Sequence, residues 1–240
     1  MASAKLSVNI NKIATLRNAR GGNLPNVLKW AEKIESFGAH GITVHPRPDQ
    51  RHIRYEDVHN LKNVITTELN VEGNPTPRFI QLIEEVKPDQ VTLVPDAPEA
   101  ITSNHGWDCK KHLKKLQEYI AHFKSLGCRT SIFLDPNEEQ IAYAYQTKTD
   151  RIELYTEFYA KNYLTNQKEA ISDYQQAAQK AIEFGLGINA GHDLNLDNLA
   201  YFQQNIPNLM EVSIGHALIS DALHYGMSNT IKLYLNQLTA

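Results

Sequence analysis

Hydrophobic and polar positions follow two alternating patterns along the chain. Short apolar runs, typical of strands buried on both faces, recur eight times. They cover residues 5–10, 41–45, 68–72, 90–94, 129–134, 151–155, 186–190 and 211–214. Between them, apolar residues recur every three or four positions, as in amphipathic helices. This second pattern predicts helices at 25–37, 55–64, 76–86, 107–126, 137–146, 168–184, 197–204 and 218–237.

The regular alternation of strand and helix predicts an α/β fold. Eight such units and a length of 240 residues favour a (β/α)8 TIM barrel, in which residues 1–240 form one domain. A doubly wound open sheet is the structural alternative. It normally carries a GxGxxG loop after the first strand, and the segment "NINKIATLRNARGG" at that position lacks this motif. The closed barrel is therefore the prediction.

Composition and charge narrow the possible partners. A formal net charge of −3 gives the chain no general affinity for nucleic acid or an anionic membrane, so we expect neither as a partner. Cys109 and Cys128 lack the spacing of a metal motif and predict reduced thiols in a cytoplasmic protein. The N-terminus "MASAKLSVNINK" has no apolar signal segment, and no apolar run approaches the roughly 18 residues of a membrane span.

Polar residues gather where the predicted strands end, which is where barrel enzymes carry their active sites. They are Asn9, Arg17 and Arg20 after the first strand, His45, Arg47 and His52 after the second, Glu72 in the third, Thr102 after the fourth, Glu153 in the sixth, Asn189 and His192 at the seventh, and Gly215 and His216 after the eighth. Hydrophobic burial gives no reason to collect imidazoles on one rim. A functional site is therefore predicted there.

The residue types indicate proton transfer on a phosphorylated compound. Glu72 and the histidines can exchange protons near neutral pH, and arginines bind phosphate. The segment "SIGHALIS" places Gly215 and His216 where a strand passes into a helix, a position at which backbone N–H groups bind phosphate. An activated Ser or Cys is missing from the set. From the residues alone, an aldolase, an isomerase and a condensing synthase all remain possible.

Six segments carry a resemblance to a known family: "VNINKIATLRNARGG", "GITVHPRPDQRHI", "LNVEGN", "LVPDAPEAITS", "GINAGHDL" and "IGHALI". Together they resemble the pyridoxine 5'-phosphate synthase family of vitamin B6 biosynthesis, in the same order along the whole chain. The resemblance implies a barrel with extra helices in a homo-octamer built as a tetramer of dimers. It also implies condensation of 1-deoxy-D-xylulose 5-phosphate with 3-amino-2-oxopropyl phosphate, without metal or organic cofactor, releasing phosphate and water.

The resemblance also assigns roles. It implies that His45 and Glu72 are acid/base groups and that His192 is a proton donor. The aminoketone phosphate would contact Asn9, Arg20, Asp193, Gly215 and His216, and the deoxyxylulose phosphate would contact Arg47, His52 and Thr102. Two positions depart from the family pattern: Asn11-Lys12 stands where Asp-His is common, and Asp193 stands where Gly is common. Any ligand contact of Asp193 should then come from its backbone N–H.

Two other functions fit a barrel with this rim. A metal-dependent hydrolase or aldolase would use His45, Glu72, His192 and His216 as ligands. The first strand lacks an HxH pair and the eighth ends without an Asp, which argues against it. A phosphate-binding protein without catalytic activity is the second alternative. Metal analysis tests the first, and measured turnover tests the second.

Overall fold

The computed structural model describes residues 3–96 and 103–239. Its parallel strands pair in chain order, and β1 also pairs with β8, so the sheet closes into a barrel. The strands are β1 (Lys5–Asn9), β2 (Gly41–Val44), β3 (Glu68–Gly73), β4 (Gln90–Leu93), β5 (Arg129–Leu134), β6 (Arg151–Tyr155), β7 (Gly187–Gly191) and β8 (Leu209–Ile214). The predicted fold class is confirmed.

Eleven helices lie within the described residues. They are α1 (Asn11–Arg20), α2 (Val27–Ser36), α3 (Tyr55–Val64), α4 (Pro77–Val86), α5 (Cys109–Ser125), α6 (Glu138–Gln146), α7 (Glu157–Asn162), α8 (Gln167–Glu183), α9 (Leu199–Asn205), α10 (His216–Tyr225) and α11 (Met227–Thr239). In the parts of the chain that the structure covers, no helix combines the length and apolar character needed to cross a membrane.

The helix predictions differ from the structure in three places. Helices α1 and α7 were not predicted, and the single helix expected at 218–237 is two helices separated by Gly226, whose φ is 73°. Helix α1 lacks the apolar spacing that predicts an amphipathic helix, because Arg17 lies on its buried face beside Ile13 and Ala14. The guanidinium of Arg17 binds both carboxylate oxygens of Asp57 in α3, at 2.5 and 2.9 Å.

The barrel interior is partly polar. The hydroxyls of Ser7 in β1 and Thr43 in β2 lie 2.7 Å apart. The amide of Asn70 in β3 donates to Thr43 and accepts from the hydroxyl of Thr92 in β4. Buried polar groups are stable when they are paired in this way. The interior can therefore accommodate further polar side chains, including the carboxyl groups described next.

Candidate active site

Glu72 in β3 lies beside His45, which directly follows β2. Nδ1 of His45 is 4.0 Å from Oε2 of Glu72, too far for a hydrogen bond. Burial, followed by the negative charges of Asp96 and Glu211, raises the pKa of Glu72 to about 8. Burial and the positive charge of Arg47 lower the pKa of His45 well below its ordinary value. At neutral pH the proton therefore resides on Glu72, and the imidazole is uncharged.

Glu153 in β6 is a second buried carboxyl group, only 3% exposed. Burial and then the charges of Glu72 and Glu211 raise its pKa well above the ordinary value, because neighbouring carboxylates in a buried site resist ionising together. Gly191 in β7 makes room for it, since a Cβ there would lie 2.3 Å from Oε1 of Glu153. The barrel mouth therefore holds two buried carboxyl groups whose pKa values are both raised.

The loop after β2 carries a second imidazole, His52, whose ring centroid lies 6.5 Å from that of His45. Nδ1 of His52 accepts the backbone N–H of Ile53 at 2.9 Å, which leaves the ring proton on Nε2. Burial, Arg47 and then Lys12 lower the pKa of His52 to about 4. This loop thus presents a neutral N–H donor in a positively charged environment, which suits an anionic ligand.

Arg47 reaches across the rim to a carboxylate. Its Nη2 donates to Oδ2 of Asp96, just beyond β4, at 2.6 Å, and both side chains are buried. The same oxygen accepts the hydroxyl of Ser103 at 2.7 Å. Asp96 was not among the predicted site residues, because its position in "LVPDAPEAITS" gives no sign of a contact with the loop after β2. The structure therefore adds Asp96 and Ser103 to the surroundings of Arg47.

His192 follows β7 in a strained turn. It and Asp193 have φ values of 82° and 60°, an unfavourable region for residues other than glycine. The hydroxyl of Thr156 donates to the carbonyls of Gly191 and His192 and holds this backbone in place. The imidazole packs edge-on against Tyr155, with centroids 5.0 Å apart. Its Nδ1 lies 2.7 Å from Oδ2 of Asp193, and this hydrogen bond lowers the pKa of Asp193.

Helix α10 begins at His216, directly after Gly215, at the same rim. No described side chain caps its first N–H groups, which lie at the positive end of the helix dipole. A Cβ at Gly215 would come within 3.0 Å of Cβ of Asn9, so glycine allows the end of β1 to pack against the start of α10. The imidazole of His216 is exposed. The rim next to β8 therefore offers a second place for an anion.

Other predicted residues lie elsewhere. Arg20 is exposed at the far end of α1, roughly 14 Å along the helix from Asn11 at a rise of about 1.5 Å per residue. Thr102 lies outside the described residues.

Asn11, which stands where Asp is common in the family, has a structural role. Its Oδ1 accepts the backbone N–H of His45 at 3.0 Å. The described part of the chain contains no group of three or more His, Cys, Asp or Glu side chains suited to hold a metal ion.

Comparison with known proteins identifies the family. The family model described as "Pyridoxal phosphate biosynthesis protein PdxJ" matches residues 6–240. The chain belongs to the PdxJ family. The pyridoxine 5'-phosphate synthase of Flavobacterium johnsoniae is 61% identical over 234 residues, covering 98% of this chain and 99% of that protein. The enzyme of the same name from Cytophaga hutchinsonii is 60% identical over 234 residues, covering 98% of each.

The predicted family resemblance is therefore confirmed, as is the prediction that the chain is an enzyme of this kind. A solved structure supports the fold independently of the PdxJ relatives. The 3-keto-L-gulonate-6-phosphate decarboxylase of Vibrio cholerae aligns with a TM-score of 0.67 at 10% identity, covering 99% of this chain and 98% of that one. At this identity the likeness concerns the fold alone.

Proposed function

We propose that the protein condenses 1-deoxy-D-xylulose 5-phosphate with 3-amino-2-oxopropyl phosphate and closes the ring to pyridoxine 5'-phosphate. Inorganic phosphate and water are released, and neither metal nor organic cofactor takes part. Membership of the PdxJ family and the names of its relatives support this proposal. The observation that carries the mechanism is the uncharged pair of Glu72 and His45, 4.0 Å apart, on a rim with two anion-binding features.

The deoxyxylulose phosphate binds at the loop after β2. Arg47 supplies a planar guanidinium, and His52 supplies its Nε2–H. The positive charges that depress the pKa of His52, chiefly those of Arg47 and Lys12, also attract a phosphate. Thr102 is assigned to this substrate through the family resemblance.

The aminoketone phosphate binds across β7, β8 and β1. The first N–H groups of α10, at Gly215 and His216, suit its phosphate. Asn9 packs against Gly215 from the neighbouring strand, and Asp193 contributes its backbone N–H. Arg20 is assigned to the same phosphate through the family resemblance.

The reaction needs repeated proton transfer. Imine formation, enolisation and loss of water each require that one group accept a proton and another donate one. The uncharged imidazole of His45 can accept a proton. Because the pKa of Glu72 is about 8, its carboxyl group can donate a proton as the acid and then, as the carboxylate, accept one as the base. His192, held by Asp193, donates to the leaving group.

Incubation of the purified protein with both phosphates tests the proposal. We expect stoichiometric formation of pyridoxine 5'-phosphate and inorganic phosphate, unaffected by a metal chelator. Release of phosphate without the pyridine product, or a requirement for added metal, would contradict the proposed reaction.

We also propose that the enzyme assembles as a homo-octamer, a tetramer of dimers. The family resemblance supports this assembly, and three strongly exposed apolar side chains could be covered by such contacts: Leu24 and Leu223 are each 83% exposed and Leu164 is 86% exposed. Light scattering coupled to size-exclusion chromatography measures the mass directly. A monomeric mass at micromolar concentration would contradict the octamer.

A further inference from the structure

Asp96 is held at three points and takes part in none of the steps above. Its Oδ2 accepts from Nη2 of Arg47 at 2.6 Å and from the hydroxyl of Ser103 at 2.7 Å. Its backbone carbonyl accepts the amide of Asn74 at 2.9 Å. The residue is 4% exposed, and Oδ1 has no hydrogen-bond partner among the described residues. A buried carboxylate fixed so firmly beside a ligand-binding arginine requires an explanation.

We propose that Asp96 is a positioning residue, which orients the Arg47 guanidinium toward the sugar phosphate and offsets its positive charge beside Glu72. This inference rests on the proposed function, since it assumes that Arg47 binds a substrate phosphate and that Glu72 exchanges protons. It adds a residue to which neither the sequence nor the family resemblance assigned a role.

The orienting part of the proposal follows from burial and geometry. A buried guanidinium needs a partner, and a carboxylate that accepts one of its N–H groups restricts the rotation of the whole planar fork. Ser103 bonds to the oxygen that Arg47 uses, so the carboxylate itself cannot turn without losing a second hydrogen bond. The guanidinium is thereby held in position before the phosphate binds, and less conformational entropy is lost on binding.

The charge part concerns the environment of Glu72. Arg47 and His45 face it from the end of β2, and Asp96 faces it from the end of β4. Glu153 in β6 and Glu211 with Ser213 in β8 complete its charged and polar surroundings.

Burial is the largest cause of the high pKa of Glu72, and Asp96 is the next. Arg47 and the hydrogen bond with Ser213 act in the opposite direction. Loss of the Asp96 charge removes one cause that raises the pKa of Glu72. It also means that Asp96 no longer offsets the charge of Arg47, so both effects lower this pKa.

The Asp96→Asn variant tests both parts. It keeps the shape and one acceptor but removes the charge. We expect the KM for deoxyxylulose phosphate to rise about three- to tenfold, because a neutral acceptor binds a guanidinium less strongly than a carboxylate. The KM for the aminoketone phosphate should stay within twofold. The alkaline limb of the pH profile of kcat/KM, where Glu72 loses its proton, should move to lower pH by on the order of one unit.

Ser103→Ala separates the orienting part from the charge part, since it removes one hydrogen bond to Asp96 and keeps the carboxylate. It should raise the KM for deoxyxylulose phosphate and leave the alkaline limb in place. Asp96→Glu, which retains the charge, should return the limb toward its wild-type position. Asp49→Asn is the matched control, because Asp49 is an exposed carboxylate on the loop after β2 that pairs with Arg51 at 2.8 Å. The charge of Asp49 acts on Arg47 and His52 but is not among the causes of the raised pKa of Glu72, so this variant should leave the alkaline limb in place and change the KM for deoxyxylulose phosphate by less than Asp96→Asn does.

The contrary outcomes are distinct. An unmoved alkaline limb in Asp96→Asn, or an equal shift in Ser103→Ala, would overturn the charge part. Equal KM changes for both substrates would overturn the orienting part, and if Asp96→Asn does not fold, an unchanged KM in Ser103→Ala does the same. If the wild type forms no product, the proposed function fails. The charge part is then decided by 13C NMR of labelled glutamate, in which Glu72→Gln identifies the Glu72 signal. That signal must titrate at lower pH in Asp96→Asn than in wild type. In Asp96→Glu and in Asp49→Asn it must titrate as in wild type.

Discussion

The Nδ1 atom of His192 lies 2.7 Å from Oδ2 of Asp193, so the imidazole proposed as proton donor is oriented by the side chain that follows it. A glycine, common at this position in the family, has no side chain to do so. Both residues have left-handed backbone conformations, and the exposed fraction of the Asp193 side chain is 42%. The contact is therefore accessible to solvent, and its contribution is modest.

Asp193→Gly removes this contact and preserves the backbone N–H and the positive φ. We expect kcat to fall about three- to tenfold, on the order of 1 kcal/mol for a partly exposed charged hydrogen bond. The KM for the aminoketone phosphate should stay within twofold, because its contact is assigned to the backbone. Asp197→Asn, which removes an exposed charge from the same connection, is the control. A large KM change with constant kcat would instead assign the side chain to substrate binding.

Glu72→Gln keeps the size of the side chain but cannot lose a proton. We expect kcat to fall by roughly 10²–10⁴-fold, the usual contribution of a general acid–base group, while substrate binding changes only a few fold. Single-turnover kinetics with a separate binding measurement checks both. Activity within threefold of wild type would remove Glu72 from the mechanism.

Arg47→Lys and His45→Asn should impair the enzyme differently. The lysine keeps the charge and loses the planar fork, so the KM for deoxyxylulose phosphate should rise by the equivalent of ~1.5–3 kcal/mol, whereas the aminoketone KM should hardly change. The asparagine cannot titrate, so it should lower kcat and flatten one limb of the pH profile. Replacement of Arg51, which pairs with exposed Asp49, should be nearly silent. Steady-state kinetics with each substrate varied in turn distinguishes these effects.

Glu153→Gln should stabilise the fold at alkaline pH. The unfolded chain releases the Glu153 proton near pH 4.3, whereas the folded protein retains it to higher pH because the pKa is raised. The folded state binds more protons in this window, so wild-type stability falls as pH rises through it. Glutamine does not titrate, so the Tm of the variant relative to wild type should increase from pH 5 to pH 9. Exposed Glu139, paired with Lys110, is the control position; parallel Tm curves for wild type and Glu153→Gln would contradict the prediction.

Arg17→Met should destabilise the fold by about 3–5 kcal/mol, because it leaves the Asp57 carboxylate without its guanidinium partner in a buried site. Lys62→Met breaks an exposed pair with Asp89 and should cost less than about 1 kcal/mol. Urea denaturation of both variants checks the difference. Similar losses in the two would show that burial does not govern the Arg17 pair.

All eight strands were predictable because each is a short apolar run bounded by turns and helices. Helix α1 was not, because the apolar pattern cannot identify a buried arginine such as Arg17. Glu153 was noticed among the polar residues of the predicted rim but was assigned no role, and only its burial beside Glu72 indicates its chemistry. Asp96 acquires its role from Arg47, 49 residues earlier in the chain, a contact that local patterns do not contain.

The pairing of β1 with β8 has a consequence for biosynthesis. Val8 pairs with Ile214, and Asn9 lies against Gly215, so the second anion site joins segments about two hundred residues apart. A nascent chain that has completed β1–β7 possesses His45 and Glu72 but lacks α10 and its N–H groups. If the second anion site binds a substrate as proposed, we expect catalytic competence only when the final strand seals the barrel. We expect the aminoketone phosphate, whose proposed site includes α10, to favour closed molecules over unclosed ones.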